Sequence, residues 1–173
     1  TSAEPQSGTW KPQIDPAMVD DKRFPALLEA SSNGVSFENA VVLVTGASNQ
    51  NSIGYQIAHN FAKGGARVVI TGSRDIAQIQ ETANALAASA GAGSVLPAQV
   101  NQGSFEELDE LLAHVKSQGL AFSHIYPFAA INHAQVFFGI KPEDYQRVFQ
   151  VNVFGVYHLC VRHCRQAPRK EPW

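Results

Sequence analysis

The sequence has little of what marks disulfide-bonded, membrane or nucleic-acid-binding proteins. Its only two cysteines, Cys160 and Cys164, lie one helical turn apart and are poor disulfide partners within a helix. A net charge of -2, with 16% charged residues, gives no basic surface for nucleic acid or an anionic membrane. No apolar run approaches a membrane span, and residues 1–36 lack the layout of a secretory signal. These absences predict a cytoplasmic protein that binds neither nucleic acid nor membranes.

The 173 residues are enough for one domain with a real core, and 45% of them are hydrophobic. Residues 1–34 carry four prolines among scattered polar residues and are interpreted as a linker or a disordered N-terminal segment. A linker in that place suggests a segment of a larger polypeptide, and a plain N-terminal tail is the alternative. The predicted domain covers residues 35–166, and residues 167–173 form a tail.

A strand, a small polar turn and a helix follow one another from Val41. The run Val41–Val44 is apolar throughout and typical of a strand buried on both faces. The helix that follows has apolar residues at helical spacing: Ile53, Ile57, Ala58, Phe61 and Ala62. A second strand, Arg67–Thr71, completes a βαβ unit. The turn would present free backbone N–H groups and a helix dipole to a pyrophosphate, which predicts a dinucleotide site at Gly46, Ser48, Asn49, Ser52, Ile53 and Gly54.

The rest of the chain continues the alternation of strands and helices. A second helix runs from Ile76 to Ala90, and a third strand follows over residues 94–100. Ser104-x-x-Glu107 has the form of a capping box and opens a third helix with buried Phe105. A fourth strand over residues 122–126 precedes a last helix from Lys141 to about Arg165. The pattern predicts an α/β fold with a Rossmann-like, doubly wound parallel sheet that is incomplete at its C-terminal side.

The end of the second strand carries the residues that separate the two nicotinamide coenzymes. A carboxylate there would bind the ribose diol of NAD, whereas a cation beside small hydroxyl groups would accept the extra phosphate of NADP. Ser73 and Arg74 match the second case, because a guanidinium grips phosphate through a planar fork of donors. NADPH is therefore the predicted cofactor. Asp75 keeps NAD open, since its carboxylate could partly neutralise Arg74.

Three motifs resemble one protein family: Thr45-Gly46-Ala47-Ser48, the Val-Asn-Gln-Gly-Ser run at 100–104, and Pro127-Phe128-Ala129-Ala130-Ile131. Together they are similar to the β-ketoacyl reductase domain of fungal-type type I fatty acid synthases, within the short-chain dehydrogenase/reductase superfamily. The segment 49–54 is also similar to stand-alone enoyl-acyl-carrier-protein reductases. Residues 142–156 look more like ordinary short-chain reductases.

The resemblance implies roles for further residues. Asn101 and Gln102 would lie beside the adenine, and Ala129, Ala130 and Ile131 would pass under the ribose next to the nicotinamide. Asn152 matches the asparagine that supports the superfamily's proton relay. The superfamily's proton-donating Tyr-x-x-x-Lys motif does not occur in the sequence. The resemblance therefore implies a fragment that carries the coenzyme half of a reductase.

The implied activity is NADPH-dependent reduction of a β-ketoacyl group on acyl carrier protein to its β-hydroxy product, in fatty acid synthesis. Its partners would be other domains of a multienzyme synthase, and the full protein would be oligomeric. Enoyl reductase or another short-chain dehydrogenase is one alternative, and a coenzyme-binding module without catalysis is another. The set His158, Cys160, His163 and Cys164 has zinc-ligand types without the spacing of a tetrahedral site, so no metal is predicted.

Overall fold

The computed structural model describes residues 36–91 and 94–166, all within the compact unit Ser36–Trp173. The predicted linker at residues 1–34 and tail at 167–173 lie outside the described residues. The strands are β1 (Val41–Thr45), β2 (Arg67–Gly72), β3 (Ser94–Gln99) and β4 (His124–Pro127). The helices are α1 (Ile53–Lys63), α2 (Ile76–Ala90), α3 (Phe105–Ser117), a 3-10 turn (Phe137–Gly139), α4 (Pro142–Phe149), a π-helical segment (Gln150–Gly155) and α5 (Val156–Gln166).

The four strands form one parallel sheet in the order β3-β2-β1-β4. At the carboxyl end of β1, Thr45 pairs with Thr71 of β2 and Pro127 of β4. The strands therefore all end at one edge of the sheet, where loops from distant parts of the sequence meet. This arrangement confirms the predicted Rossmann-like sheet.

Helices cover both faces of the sheet because the side chains of β1 alternate between two cores. Val42 and Val44 join the core that contains Ala58 of α1 and Leu86 of α2. The other core receives Val41 and Leu43, and its helical members are Leu108, Leu111, Leu112 and Val115 of α3 with Leu159 of α5. A strand that is apolar at every position thus packs on helices from both sides, as its composition predicts.

Three apolar residues that were assigned to buried helix faces are exposed. Ile53 is 69% exposed, Ile76 is 44% exposed and Phe105 is 42% exposed. Each is the first residue of its helix, where the chain still projects beyond the sheet. On α1 the buried aromatic residue is Tyr55, at 8% exposure.

The last predicted helix is not continuous. A π-helical segment, Gln150–Gly155, separates α4 from α5. The fourth strand begins at His124 and ends at Pro127, later than predicted. No helix in the described part of the chain is both long and apolar enough to cross a membrane.

Candidate functional site

A cleft of about 820 Å³ runs along the edge of the sheet where the strands end. Its lining comes from the residues that follow each of the four strands and from α4 and the π-helical segment. The lining includes eleven predicted coenzyme residues: Gly46, Ser48, Asn49, Ser52, Ser73, Arg74, Asn101, Gln102, Ala129, Ala130 and Ile131. Ile53, Gly54 and Asn152 lie outside the lining.

Gly46 and Gly54 allow the loop after β1 to pack closely. Gly46 has φ +69°, and a Cβ added there would lie 2.6 Å from both the backbone N and the Cα of Ala129. A Cβ on Gly54 would lie 3.2 Å from the carbonyl oxygen of Gly46. Gly46 needs to be glycine because the loops after β1 and β4 approach each other there, whereas Gly54 makes a tight but less restrictive contact within the loop after β1.

The start of α1 leaves backbone donors free. Ser52 caps the helix, because its hydroxyl accepts from the N–H of Tyr55 at 3.1 Å and donates to the carbonyl of Asn49 at 2.7 Å. The N–H groups of Ile53 and Gly54 have no acceptor among the described residues. The backbone N–H groups of Ile53 and Gly54 are therefore free to bind an anion, although neither residue is part of the cleft lining.

The end of β2 places a guanidinium in the cleft without a carboxylate partner. Gly72 packs directly on the side chain of Ser48, and a Cβ on it would come within 2.7 Å of the Ser48 Cβ. Ser73 and Arg74 follow, both exposed. Asp75 does not pair with Arg74; its Oδ1 accepts from the N–H of Ala77 at 2.8 Å and caps α2. Within the described residues, Arg74 has no ion pair at all.

Gln102 is a buried connector between three of the cleft's walls. It is 3% exposed, and its Oε1 accepts a hydrogen bond from the Thr45 hydroxyl at 2.5 Å. Its Nε2 donates to the carbonyl of Ala129 at 2.8 Å and to that of Val151 at 3.0 Å. The Thr45 hydroxyl in turn accepts from the N–H of Ala129 at 3.0 Å. Gln102 thus lines the cleft, but protein groups occupy its amide.

Asn101 is held by its own turn and by α3. Its side-chain Oδ1 accepts from the N–H of Gly103 at 3.0 Å, and its backbone N–H donates to Glu107 at 2.7 Å. The predicted capping box is therefore half formed. Ser104 accepts from the Glu107 N–H at 3.3 Å, whereas the Glu107 carboxylate binds Asn101 instead of returning to Ser104. This carboxylate anchors the loop after β3 to the helix.

Asn152 holds the loop after β4. Its Oδ1 accepts from the N–H of Ile131 at 2.9 Å, and its Nδ2 donates to the carbonyl of the same residue at 2.8 Å. Asn152 belongs to the π-helical segment, so the predicted asparagine and the helix irregularity occur together. In this structure Asn152 is a positioning residue for Ile131, and a direct part in proton transfer stays a prediction.

The outer wall of the cleft was missed by sequence reasoning. It consists of Glu143, Gln146 and Arg147 of α4, followed by Gln150 and Val151. The polar members lie at i, i+3, i+4 and i+7, which is one face of a helix. This spacing is visible in the sequence, but a polar helix face usually indicates a surface that is exposed to solvent. Phe128, Gly72, Val100 and Gly103 complete the lining.

Two sets of titratable groups outside the cleft lining form ion pairs with each other. His133 lies 3.2 Å from Asp144. Asp109 accepts from Arg162 at 2.6 Å and contacts His158 at 3.0 Å. The hydrogen bond from Arg162 is the main cause that lowers the pKa of Asp109, the bond to His158 adds to it, and partial burial opposes both.

The histidine and cysteine residues of α5 do not assemble a metal site. Burial, followed by the charge of His124, lowers the pKa of His163. Cys160 and Cys164 are exposed free thiols. No group of three or more His, Cys, Asp or Glu side chains that could hold a metal occurs in the described part of the chain.

Comparison with known proteins extends these observations. Residues 46–171 match the family described as enoyl-(acyl carrier protein) reductase. The fatty acid synthase subunit alpha of Saccharomyces cerevisiae is 33% identical over 135 residues, covering 72% of this chain and 7% of the subunit. That of Candida albicans is 39% identical over 113 residues, covering 61% of this chain and 6% of the subunit. The chain thus spans only a small part of the length of these relatives.

Solved structures of reductases share the fold. L-sorbose reductase from Gluconobacter frateurii, solved with NADPH and L-sorbose, superposes with a TM-score of 0.68 at 24% identity, over 76% of this chain and 48% of the reductase. A short-chain dehydrogenase/reductase from Mycobacterium marinum gives a TM-score of 0.69 at 22% identity, over 78% of this chain and 51% of that protein. The βαβ unit with its glycine turn, the π-helical asparagine and the family match agree: this chain belongs to the short-chain dehydrogenase/reductase superfamily and resembles part of the fungal fatty acid synthase alpha subunit.

Proposed function

We propose that this chain is the NADPH-binding part of a 3-oxoacyl-acyl-carrier-protein reductase domain of a fatty acid synthase. The observation that carries the proposal is the unpaired guanidinium of Arg74 in a cleft that is also lined by Ser52, the residue directly before the free N–H groups of α1. The relatives named as fatty acid synthase subunits support the pathway. The acyl-carrier-protein substrate, the neighbouring synthase domains, oligomeric assembly and a cytoplasmic location belong to the same proposal.

The volume of the cleft and its hydrogen-bond donors are suited to NADPH. The N–H groups of Ile53 and Gly54, together with the side chain of Ser48, would bind the pyrophosphate. The side chains of Ser73 and Arg74 would bind the 2′-phosphate. Ala129 and Ala130 would allow the nicotinamide ribose to approach the backbone. The bound coenzyme would supply hydride for carbonyl reduction. The chain's own contribution is to bind and orient that coenzyme.

Coenzyme titration tests the proposal. We expect NADPH to bind more tightly than NADH, and the substitution Arg74→Gln to weaken NADPH by roughly 10- to 100-fold, because a charge-assisted hydrogen bond contributes about 1.5–3 kcal/mol. NADH affinity should change little. Arg67→Gln is the matched control, because Arg67 is exposed at the opposite end of the same strand. Equal affinities of the wild-type chain for NADPH and NADH would contradict the proposal.

Two other functions are separated by a second assay. The matched family's description favours an enoyl reductase, and the absence of Tyr-x-x-x-Lys from the sequence favours coenzyme binding without catalysis. We expect none or only a trace of NADPH oxidation with a β-ketoacyl thioester. Faster oxidation with an enoyl thioester would assign the enoyl reaction instead. Tight NADPH binding with no turnover on either thioester is the result expected both of a binding module and of the coenzyme half of a reductase, and it would exclude catalysis by this chain.

A further inference from the structure

The outer wall of the cleft carries a second guanidinium. Arg147 lies on α4, lines the same cleft as Arg74 and is exposed. Like Arg74, it has no ion pair within the described residues. Glu143, one turn earlier on α4, also lines the cleft but lies beyond ion-pair distance from both. Two guanidiniums and one carboxylate leave the lining with a net positive charge, and no ion pair among the described residues neutralises either guanidinium.

The position of Arg147 over the cleft is fixed by the contacts of the following turn. Gln150 donates from Nε2 to the carbonyl of Gly103 at 2.8 Å, and the carbonyl of Val151 accepts from Gln102. A Cβ on Gly103 would lie 3.0 Å from a methyl group of Val151, so the helix and the loop after β3 are in close contact. Arg147 is one turn before these anchors, beside the loop that follows β3.

The other end of α4 is anchored as well. Asp144 accepts from the backbone N–H of Lys141 at 3.0 Å and lies 3.2 Å from His133 of the preceding loop. Because both ends of α4 are tied to the loops of the cleft, the helix does not need to be ordered by a ligand. Arg147 is therefore presented by a fixed element, which lowers the entropic cost of using it in binding.

We propose that Arg147 is a second cation for the coenzyme's 2′-phosphate, in addition to Arg74. The proposal rests on the function proposed above and adds a residue to which the sequence motifs assign no role. Both guanidiniums line the same cleft, and the loop after β3 contacts the turn that follows Arg147. A phosphate dianion that reaches both guanidiniums neutralises their charge and accepts planar donors from each. The uncharged 2′-hydroxyl of NADH would neither neutralise this charge nor accept planar donors from both guanidiniums.

Affinity measurements on single variants test this inference. The probes are NADPH, NADH, adenosine 2′,5′-bisphosphate and adenosine 5′-monophosphate, with binding followed by fluorescence or calorimetry. Arg147→Gln should weaken NADPH and the bisphosphate by about 5- to 30-fold and leave NADH and the monophosphate within about twofold. Arg147→Lys should retain part of the affinity, because it keeps the charge but loses the fork. Arg165→Gln is the control, since Arg165 is exposed on α5 and absent from the cleft lining.

The outcomes separate this inference from the function on which it rests. If Arg74→Gln abolishes the preference for NADPH and Arg147→Gln does not, the proposed function stands and the role of Arg147 is refuted. An equal loss for NADPH and NADH in Arg147→Gln would also refute it, because the guanidinium would then act on the adenine. If the wild-type chain binds neither dinucleotide, both proposals fail. A smaller salt dependence of NADPH binding in Arg147→Gln, with the thermal midpoint unchanged, supports the inference.

Discussion

Substituting Gly46 by alanine measures how closely the loops after β1 and β4 must approach. Gly46 has φ +69°, and its added Cβ would lie 2.6 Å from two backbone atoms of Ala129 and 2.8 Å from a third in Phe128. Gly119, at the end of α3, has φ +71° with no atom of the described residues within 4 Å of such a Cβ. The two glycines therefore have nearly the same φ and differ in whether an added Cβ would contact other residues.

Comparison of the two variants separates two contributions to the loss of stability: the left-handed backbone and the overlap of the added methyl group with neighbouring atoms. Left-handed backbone costs an alanine about 1–2 kcal/mol, which is the whole expected loss in Gly119→Ala. Gly46→Ala adds an overlap with backbone atoms that cannot rotate away, and overpacking of this kind costs about 1–3 kcal/mol more. The total expected for Gly46→Ala is therefore about 2–5 kcal/mol.

Urea unfolding with and without NADPH is the assay. We expect Gly46→Ala to lower the unfolding midpoint more than Gly119→Ala and to lose most NADPH affinity under conditions where it is still folded. Gly119→Ala should bind NADPH like the wild type. Equal loss of stability in the two variants would refute the claim that Gly46 is required by its contact with the β4 loop.

Three further predictions concern other contacts. Gln102→Leu leaves one hydroxyl and two carbonyls without their partner and should cost about 2–4 kcal/mol in urea unfolding, whereas Gln78→Leu at an exposed helix position should stay within about 0.5 kcal/mol. Gly155→Ala places a methyl group on the Gln102 carbonyl and should lower the thermal midpoint. Because the pKa of Asp109 is lowered in the fold, its contribution to stability is complete above about pH 4 and lost as the pH falls further. The stability difference between Asp109→Asn and the wild type should therefore shrink in acid unfolding experiments.

The sheet could be predicted because its signals are local. Val41–Val44 is apolar at every position, as a strand with helices on both faces requires, and Gly91 ends α2 in the left-handed conformation. The π-helical segment at Gln150–Gly155 could not be predicted, since Asn152 and Gly155 lower helix propensity without specifying a π-helix. Its cause is tertiary: Gly155 packs against the carbonyl of Gln102, and Asn152 binds the backbone of Ile131.

The position of the loop between β1 and α1 could be predicted from the sequence, whereas which of its groups are free for a ligand could not. The motif gave Ile53 and Gly54 as site residues, and the structure leaves only their backbone N–H groups free for a ligand. Arg147 was missed because the resemblance of residues 142–156 to short-chain reductases assigns it no role. Its place in the cleft depends on the contact between the π-helical segment that follows α4 and the loop after β3, where Gln150 binds Gly103, 47 residues away in sequence.

Gln102 illustrates why a polar residue at the end of a strand has two possible meanings. From the sequence it is a candidate ligand contact, yet its amide is saturated by Thr45, Ala129 and Val151. No buried side-chain polar atom in the described part of the chain lacks a hydrogen-bond partner. The cleft walls are therefore held together by protein contacts before any ligand binds, so ligand binding need not supply the ordering of the walls. It follows that loss of Gln102 should weaken NADPH and NADH alike, whereas loss of Arg74 should weaken NADPH alone, and this contrast distinguishes a residue that shapes the cleft from one that binds in it.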